Sequence, residues 1–247
     1  MRKTTPVFKL LFTAGISSLL FSCGGEKKGA GTDETVKTAD TAASMKMAPT
    51  PVPPAAFVPF DILEVQHSVK DYATWRPGFN TDSVNRKTAG LKDLAVGSEM
   101  DNPNNLIIAM QMADVQKAKD FVVSPKLKET MGKLGVVSKP EVNYFHVIRF
   151  NPDSKEKKWV VITHKVKDFD AWVKTYDGEG TAKRLSEGMV DVVLARGIDD
   201  PNMVELVFDI TDMDKAKAAI ASEEKKKLMM SAGVEGVPKI KFYNTVE

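Results

Sequence analysis

The sequence predicts an α+β fold in which two tandem βαββαβ repeats pack sheet to sheet as a pseudo-dimeric α/β barrel. First, His67-Ser68-Val69-Lys70-Asp71-Tyr72-Ala73-Thr74-Trp75 recurs as His164-Lys165-Val166-Lys167-Asp168-Phe169-Asp170-Ala171-Trp172, at an offset of 97. Asp101-Asn102-Pro103-Asn104 then matches Asp199-Asp200-Pro201-Asn202 at an offset of 98, and Lys117, Ser124, Met131, Gly135 and Pro140 hold that register against Lys215, Ser222, Met229, Gly233 and Pro238. So long a period marks duplicated domains, because solenoid units are shorter. Second, apolar periodicity gives each copy the order strand, helix, strand, strand, helix, strand. Third, that order builds a four-stranded antiparallel sheet with both helices on one face. The bare face is partly apolar and calls for a partner, which the other copy supplies.

Residues 1–22 read as a lipoprotein signal peptide. Arg2, Lys3 and Lys9 form a positive start, and Leu10 to Phe21 is a short apolar stretch, too short for a stable membrane span. It ends at Leu20-Phe21-Ser22-Cys23, which resembles the lipobox of bacterial lipoproteins, with Phe21 bulkier than the strictest motif. The resemblance implies a lipid on the Cys23 sulfur, a membrane partner, and a place in the cell envelope, at the outer membrane where the cell has one. Cys23 is the only cysteine, so no internal disulfide is expected. Residues 23–57, rich in Gly, Ala, Thr, Lys and Glu and then in Pro, read as a tether. They carry too little apolar surface to offset the entropy of ordering.

Without the first 22 residues, which hold three basic and no acidic side chains, the formal charge of +2 becomes −1. That balance leaves no basic stripe for nucleic acid. The runs Lys126-Leu127-Lys128 and Lys225-Lys226-Lys227 are read as lying late in helices, where cations suit the helix dipole and water.

The first repeat is assigned to residues 58–152 and the second to 157–247. Ile62 to Val69 reads as the opening strand, with Leu63, Val65, His67 and Val69 on one face and Glu64 and Gln66 on the other. Asp71 caps a helix carrying Tyr72, Trp75 and Phe79 on one side. Leu91 to Asp101 and Leu106 to Met112 are strands about the Asn102-Pro103-Asn104 turn. Asp101 and Asp199 are read as the turn-forming side chains. Asp114 caps the second helix, Ser124-Pro125 reads as a fresh cap and so a break, and Val142 to Phe150 is the last strand. The second copy repeats these elements as Trp159 to Val166, Asp168 to about Ser186, Val190 to Ile198, Val204 to Ile210, Asp212 to Ala232 and Lys239 to Val246. One residue is gained between Phe79/Tyr176 and Arg86/Arg184, where the helix is expected to run out into a loop.

The βαββαβ order, the strand-end His before Val-Lys-Asp-Phe and Trp, the Asp-Asp-Pro-Asn turn and the Lys-Ala-Lys helix resemble the dimeric α/β-barrel (ferredoxin-like) superfamily. Within it, the chain is similar to antibiotic-biosynthesis-monooxygenase and stress-responsive-barrel domains over roughly residues 60–247. The resemblance implies a ligand pocket between each sheet and its own helices. It leaves activity open, since that superfamily holds oxygenases, haem-degrading enzymes, decarboxylases and proteins with no known reaction.

Strand parity places His67 and His164 at the ends of such pockets, near Trp75 and Trp172, with Arg86 and Arg184 at the mouths. These six residues form the candidate ligand pockets. A His, a Trp and an Arg around an apolar cavity suit a flat aromatic or quinone-like molecule, the arginine meeting its carboxylate or phenolate. The opposing reading is structural: each histidine bonds a neighbouring backbone group and each tryptophan fills core. No catalytic residue, cofactor or metal site is assigned, since His67 and His164 fall in separate pockets and His146 has Asn244 as its counterpart. Neither second helix carries the histidine of the haem degraders. Three readings remain: a lipid-anchored, non-catalytic module binding a small apolar or aromatic molecule; a cofactor-independent, monooxygenase-like enzyme acting on a quinone or phenol; and an interaction or stress-related scaffold. One chain supplies both halves of the barrel, so it is read as a monomer.

Overall fold

Alternating side chains set up the opening strand, β1 (Phe60–Ser68), which sends Leu63, Val65 and His67 to one face and Ile62, Glu64 and Gln66 to the other. The computed structural model describes residues 57–246. The predicted signal peptide, Cys23 and all of the predicted tether except Phe57 lie outside the described residues. After β1 come α1 (Tyr72–Thr81), α2 (Ser83–Thr88), β2 (Leu91–Glu99), β3 (Asn105–Met112), α3 (Val115–Val122), α4 (Pro125–Lys133) and β4 (Glu141–Phe150). The same series follows as β5 (Lys158–Val166), α5 (Phe169–Glu179), α6 (Thr181–Ser186), β6 (Met189–Gly197), β7 (Met203–Ile210), α7 (Met213–Ala221), α8 (Glu223–Ser231) and β8 (Val234–Thr245).

Strand order within the halves is β4-β1-β3-β2 and β8-β5-β7-β6, all antiparallel. The halves are joined at both edges. β2 pairs with β8 through Gly97↔Thr245 to Glu99↔Tyr243, and β4 pairs with β6 from Phe145↔Gly197 to Phe150↔Val193. The result is one closed barrel, which leaves no edge strand open. Helices cover its outside over two matched cores, one around Leu63, Trp75 and Ile108 and the other around Val160, Trp172 and Leu206. Smaller clusters around Ile62, Phe145 and Val147, and around Ile107, Trp159 and Tyr243, fill part of the lumen. No described helix is long and apolar enough to cross a membrane.

The predicted caps form: Asp71, Asp114, Asp168 and Asp212 each accept a hydrogen bond from the backbone N–H three residues on. Ser124 accepts from Leu127 N and starts α4 with Pro125 at its first turn. Five readings need correction. The single helices expected over Asp168 to Ser186 and Asp212 to Ala232 are each two. Gly180 (φ 81°) stops α5, and Ser222 caps a new helix as Ser124 does. The residue gained near Phe79/Tyr176 therefore lengthens α5 to 11 residues against 10 in α1, and the chain continues into a helix, not a loop.

Because Ser124 and Ser222 restart the helices, Lys126 and Lys225 lie in the first turns of α4 and α8, not late in helices. The turn-forming side chains are Asn102 and Asp200, whose oxygens accept from Asn104 N and Asn202 N; Asp199 instead meets Lys119. Finally, β8 begins five residues earlier than Lys239. Glu235 pairs with Lys165 and Lys239 with Thr163, and the bulge between them holds Gly236 (φ 69°), exposed Val237 and Pro238, whose missing N–H is not needed there.

Candidate functional site

Each sequence-predicted trio comes together on the flank of the barrel. In the first half, β1 presents His67, α1 presents Trp75 and α2 presents Arg86 around one apolar cavity. In the second, His164 on β5, Trp172 on α5 and Arg184 on α6 do the same. Every trio is linked by an aromatic ring into a column. His67 meets Trp75 edge-on at 5.7 Å, Trp75 stacks on Phe79 at 4.6 Å, and the Arg86 guanidinium lies 3.7 Å above Phe79. The second column runs His164, Trp172, Tyr176 and Arg184 at 5.3, 5.2 and 4.0 Å.

The arginines line the cavities but direct their hydrogen bonds to protein groups. Arg86 donates from Nε and Nη2 to both oxygens of Asp93 at 2.8 and 2.7 Å, and from Nη1 to the Phe79 carbonyl. Arg184 donates to Asp191 at 2.9 Å and to the Tyr176 carbonyl at 3.0 Å. Their donors are committed to neighbouring groups, so the expectation that they meet a ligand carboxylate is corrected. Asp93 and Asp191 were the members missed in sequence. The signal was present, for Arg and Asp stand seven residues apart in both copies.

The histidines behave oppositely. His67 and His164 are 7% and 5% exposed, yet neither ring nitrogen of either residue has a hydrogen-bond partner among the described residues. The expected bond to a neighbouring backbone group does not form. Burial without a counter-charge lowers each pKa to about 4, so both rings are neutral at physiological pH. The cavities they line are small, about 60 Å³ in the first half and 70 Å³ in the second. A cavity of roughly 150 Å³ is what accommodates benzene. A flat aromatic ring therefore enters only if lining side chains such as Met131 or Met229 move.

The mouths of the two flank pockets differ. In the second half, Lys225 pairs with Glu179 and Glu187 beside the cavity. Its counterpart in the first half is Leu127.

A third cavity, about 270 Å³, occupies the lumen. Three glutamates line it, Glu64 from β1, Glu205 from β7 and Glu156 ahead of β5, together with Asp209 and Trp159. Gln66 Nε2 donates to Glu64 Oε1 at 2.7 Å, while Glu205 Oε2 has no partner among the described residues. Burial and the adjacent Glu64 charge push the Glu205 carboxyl well above the usual carboxylate range. Trp159 fits inside because its neighbour is Gly97, where a Cβ would stand 2.3 Å from the indole ring. Its indole N–H donates to Thr245 at 3.1 Å. Strand parity in the sequence already turns Glu64 toward the seam between the halves. For Glu205, a lone Glu inside Met203-Val204-Glu205-Leu206-Val207-Phe208, in the lumen-facing register, was the available signal. His146 lies elsewhere, its Nδ1 2.6 Å from Asp61. No group of three His, Cys, Asp or Glu side chains that could hold a metal occurs among the described residues.

No family model matches the chain, and no curated protein does. Solved structures do. A candidate monooxygenase from Fusobacterium nucleatum subsp. nucleatum is similar over 76% of this chain and 93% of its own, at 14% identity and a TM-score of 0.50. A candidate monooxygenase from Lactobacillus acidophilus NCFM matches over 75% and 94%, at 15% identity and a TM-score of 0.49. A ferredoxin fold protein from Listeria monocytogenes, related to antibiotic biosynthesis monooxygenases, matches over 77% and 97%, at 9% identity and a TM-score of 0.45. At such identities the likeness shows the fold alone. The fold class is an α+β barrel of ferredoxin-like repeats.

Proposed function

We propose that the protein is a small-molecule-binding module of the cell envelope, anchored by lipid on Cys23, with one equivalent pocket on each flank of its barrel. The supporting observation is the pair of buried histidines, His67 and His164, whose ring nitrogens find no protein partner at the walls of apolar cavities. A buried polar group left unpaired costs about 1–3 kcal/mol, and the same cost is carried twice at equivalent positions. A neutral imidazole both donates and accepts, and the wall beside it is apolar. The matching guest is a small apolar molecule carrying one hydroxyl or carbonyl group. Quinone-sized guests require the long side chains over the pocket to shift.

The enzyme alternative uses the same imidazoles as general bases toward a phenol, weak ones because burial holds each pKa near 4. Against it, Arg86 and Arg184 are committed to Asp93 and Asp191, which leaves the resulting phenolate without a cation. Binding is therefore preferred to catalysis.

Native mass spectrometry of the full chain after exposure to an extract of its own cell envelope tests the pockets. A retained small molecule is expected, and the double substitution His67→Phe, His164→Phe should release it. A clean apo mass would remove the support for binding. The anchor is tested separately: Cys23→Ser should abolish incorporation of labelled fatty acid and free the protein from the membrane fraction.

A further inference from the structure

The two copies agree on their flanks but disagree in the lumen. Glu64 is matched by Val161 and Glu205 by Ile107, so the same two registers that hold a carboxyl on one side are apolar on the other. Duplication alone gives no reason for these carboxyls. Neither is needed to satisfy the backbone, which is paired through the strand ladders around both residues.

Four carboxylate side chains line the lumen cavity: Glu64, Glu205, Asp209 and Glu156. No Lys, Arg or His lines it among the described residues. Ser154 Oγ lies 2.9 and 2.8 Å from the two oxygens of Asp209, so its one hydroxyl proton answers part of that group. Gln66 answers Glu64, with Asn143 Nδ2 at 3.5 Å. Glu205, only 1% exposed, keeps Oε2 unpartnered. Burial and the neighbouring Glu64 favour the protonated form of Glu205. The field of Lys239 opposes the shift of Glu205, but that lysine is engaged with Glu141. Apart from Asn151 and Thr245, the rest of the wall is apolar and aromatic. Phe60 and Phe150 meet edge-on at 5.8 Å, and Trp159 stacks on Tyr243 at 5.0 Å.

We propose that the barrel lumen is a second binding site, distinct from the flank pockets, for an apolar organic cation: an ammonium group carried on a single ring or a short branched body. The ammonium would donate to Glu205 Oε2 and to the Glu64 carboxylate. Such charge-assisted bonds are about twice as strong as neutral ones. The aromatic walls favour a cation over a neutral guest of the same shape. At 270 Å³ the cavity is nearly twice the roughly 150 Å³ that holds benzene, which leaves room for a ring and a short amine arm. The site does not rest on the flank-pocket reading, since it shares none of His67, Trp75, His164 and Trp172 with it.

The experiment is calorimetric titration of the full chain at pH 7 with 2-phenylethylamine, against 2-phenylethanol and phenylacetate as neutral and anionic counterparts. The expected result is one amine per chain, bound at least about tenfold more tightly than the alcohol, with no binding of the acid. Glu205→Gln keeps the shape and should weaken the amine about tenfold. Ala109→Met fills the lumen without removing a carboxyl and should abolish binding. Equal binding of amine and alcohol would overturn the proposal. So would a stoichiometry of two, unchanged binding in Glu205→Gln, or no amine binding up to millimolar concentration.

Discussion

The flanks of this barrel and its lumen are both formed by the same series of elements occurring twice, yet only the flanks are alike. On the flanks, His, Trp, an aromatic ring and Arg form the same column twice, with matching hydrogen bonds from arginine to aspartate. In the lumen, Glu64 and Glu205 stand opposite apolar counterparts. Preserved symmetry is what two equal sites, or two equal cores, require. Broken symmetry at buried carboxyls is what a single specialised site requires, because burying an unpaired carboxyl without a role is costly.

The largest expected effect is on the columns. Trp75→Ala and Trp172→Ala should each destabilise the fold by about 3–5 kcal/mol in denaturant titrations, and by similar amounts. Costs differing by more than about 2 kcal/mol would break the equivalence of the two flanks.

Acid sharpens the comparison next. Each column histidine has a folded pKa near 4, below its ordinary 6.5. Below pH 6.5 the unfolded chain takes up a proton that the folded chain refuses. Stability is therefore full above pH 6.5 and falls as pH drops toward 4, by on the order of 3 kcal/mol per histidine. His67→Phe with His164→Phe should flatten that slope in urea midpoints measured between pH 7 and 4. A slope that persists would place the acid sensitivity elsewhere.

The lumen should show the opposite sign and the smallest effect. Glu205 has a raised pKa, so its folded form holds a proton that the unfolded chain has lost, and stability falls as pH rises. Glu205→Gln should change stability by under about 1 kcal/mol near pH 5 and become progressively stabilising toward pH 9. A variant less stable than the parent at pH 9 would show that the carboxylate is structurally satisfied.

The columns were legible in sequence because their members keep strand and helix spacing in both copies. The side on which each residue of β1 faces followed from parity alone. The arginine's true partner was not read, although its spacing to Asp93 and Asp191 is preserved. The break at Ser222 was hidden because Pro125 has Glu223 as its counterpart, so the proline that marked the first break has no equivalent. Closure of the barrel depends on β2 finding β8 and β4 finding β6, pairings between distant strands that local patterns do not encode. The lumen carboxyls escaped for a related reason: a single Glu in an apolar strand gains meaning only when the opposite wall is known.

The chain holds three tryptophans, one in each flank cavity and one in the lumen: Trp75, Trp172 and Trp159. Their indole N–H signals in one nitrogen–proton correlation spectrum therefore report the three sites separately. Addition of the molecule recovered from the envelope should move the Trp75 and Trp172 signals together and leave Trp159 in place. Movement of Trp159 alone, or of only one flank signal, would contradict the division into two equal pockets and one specialised lumen.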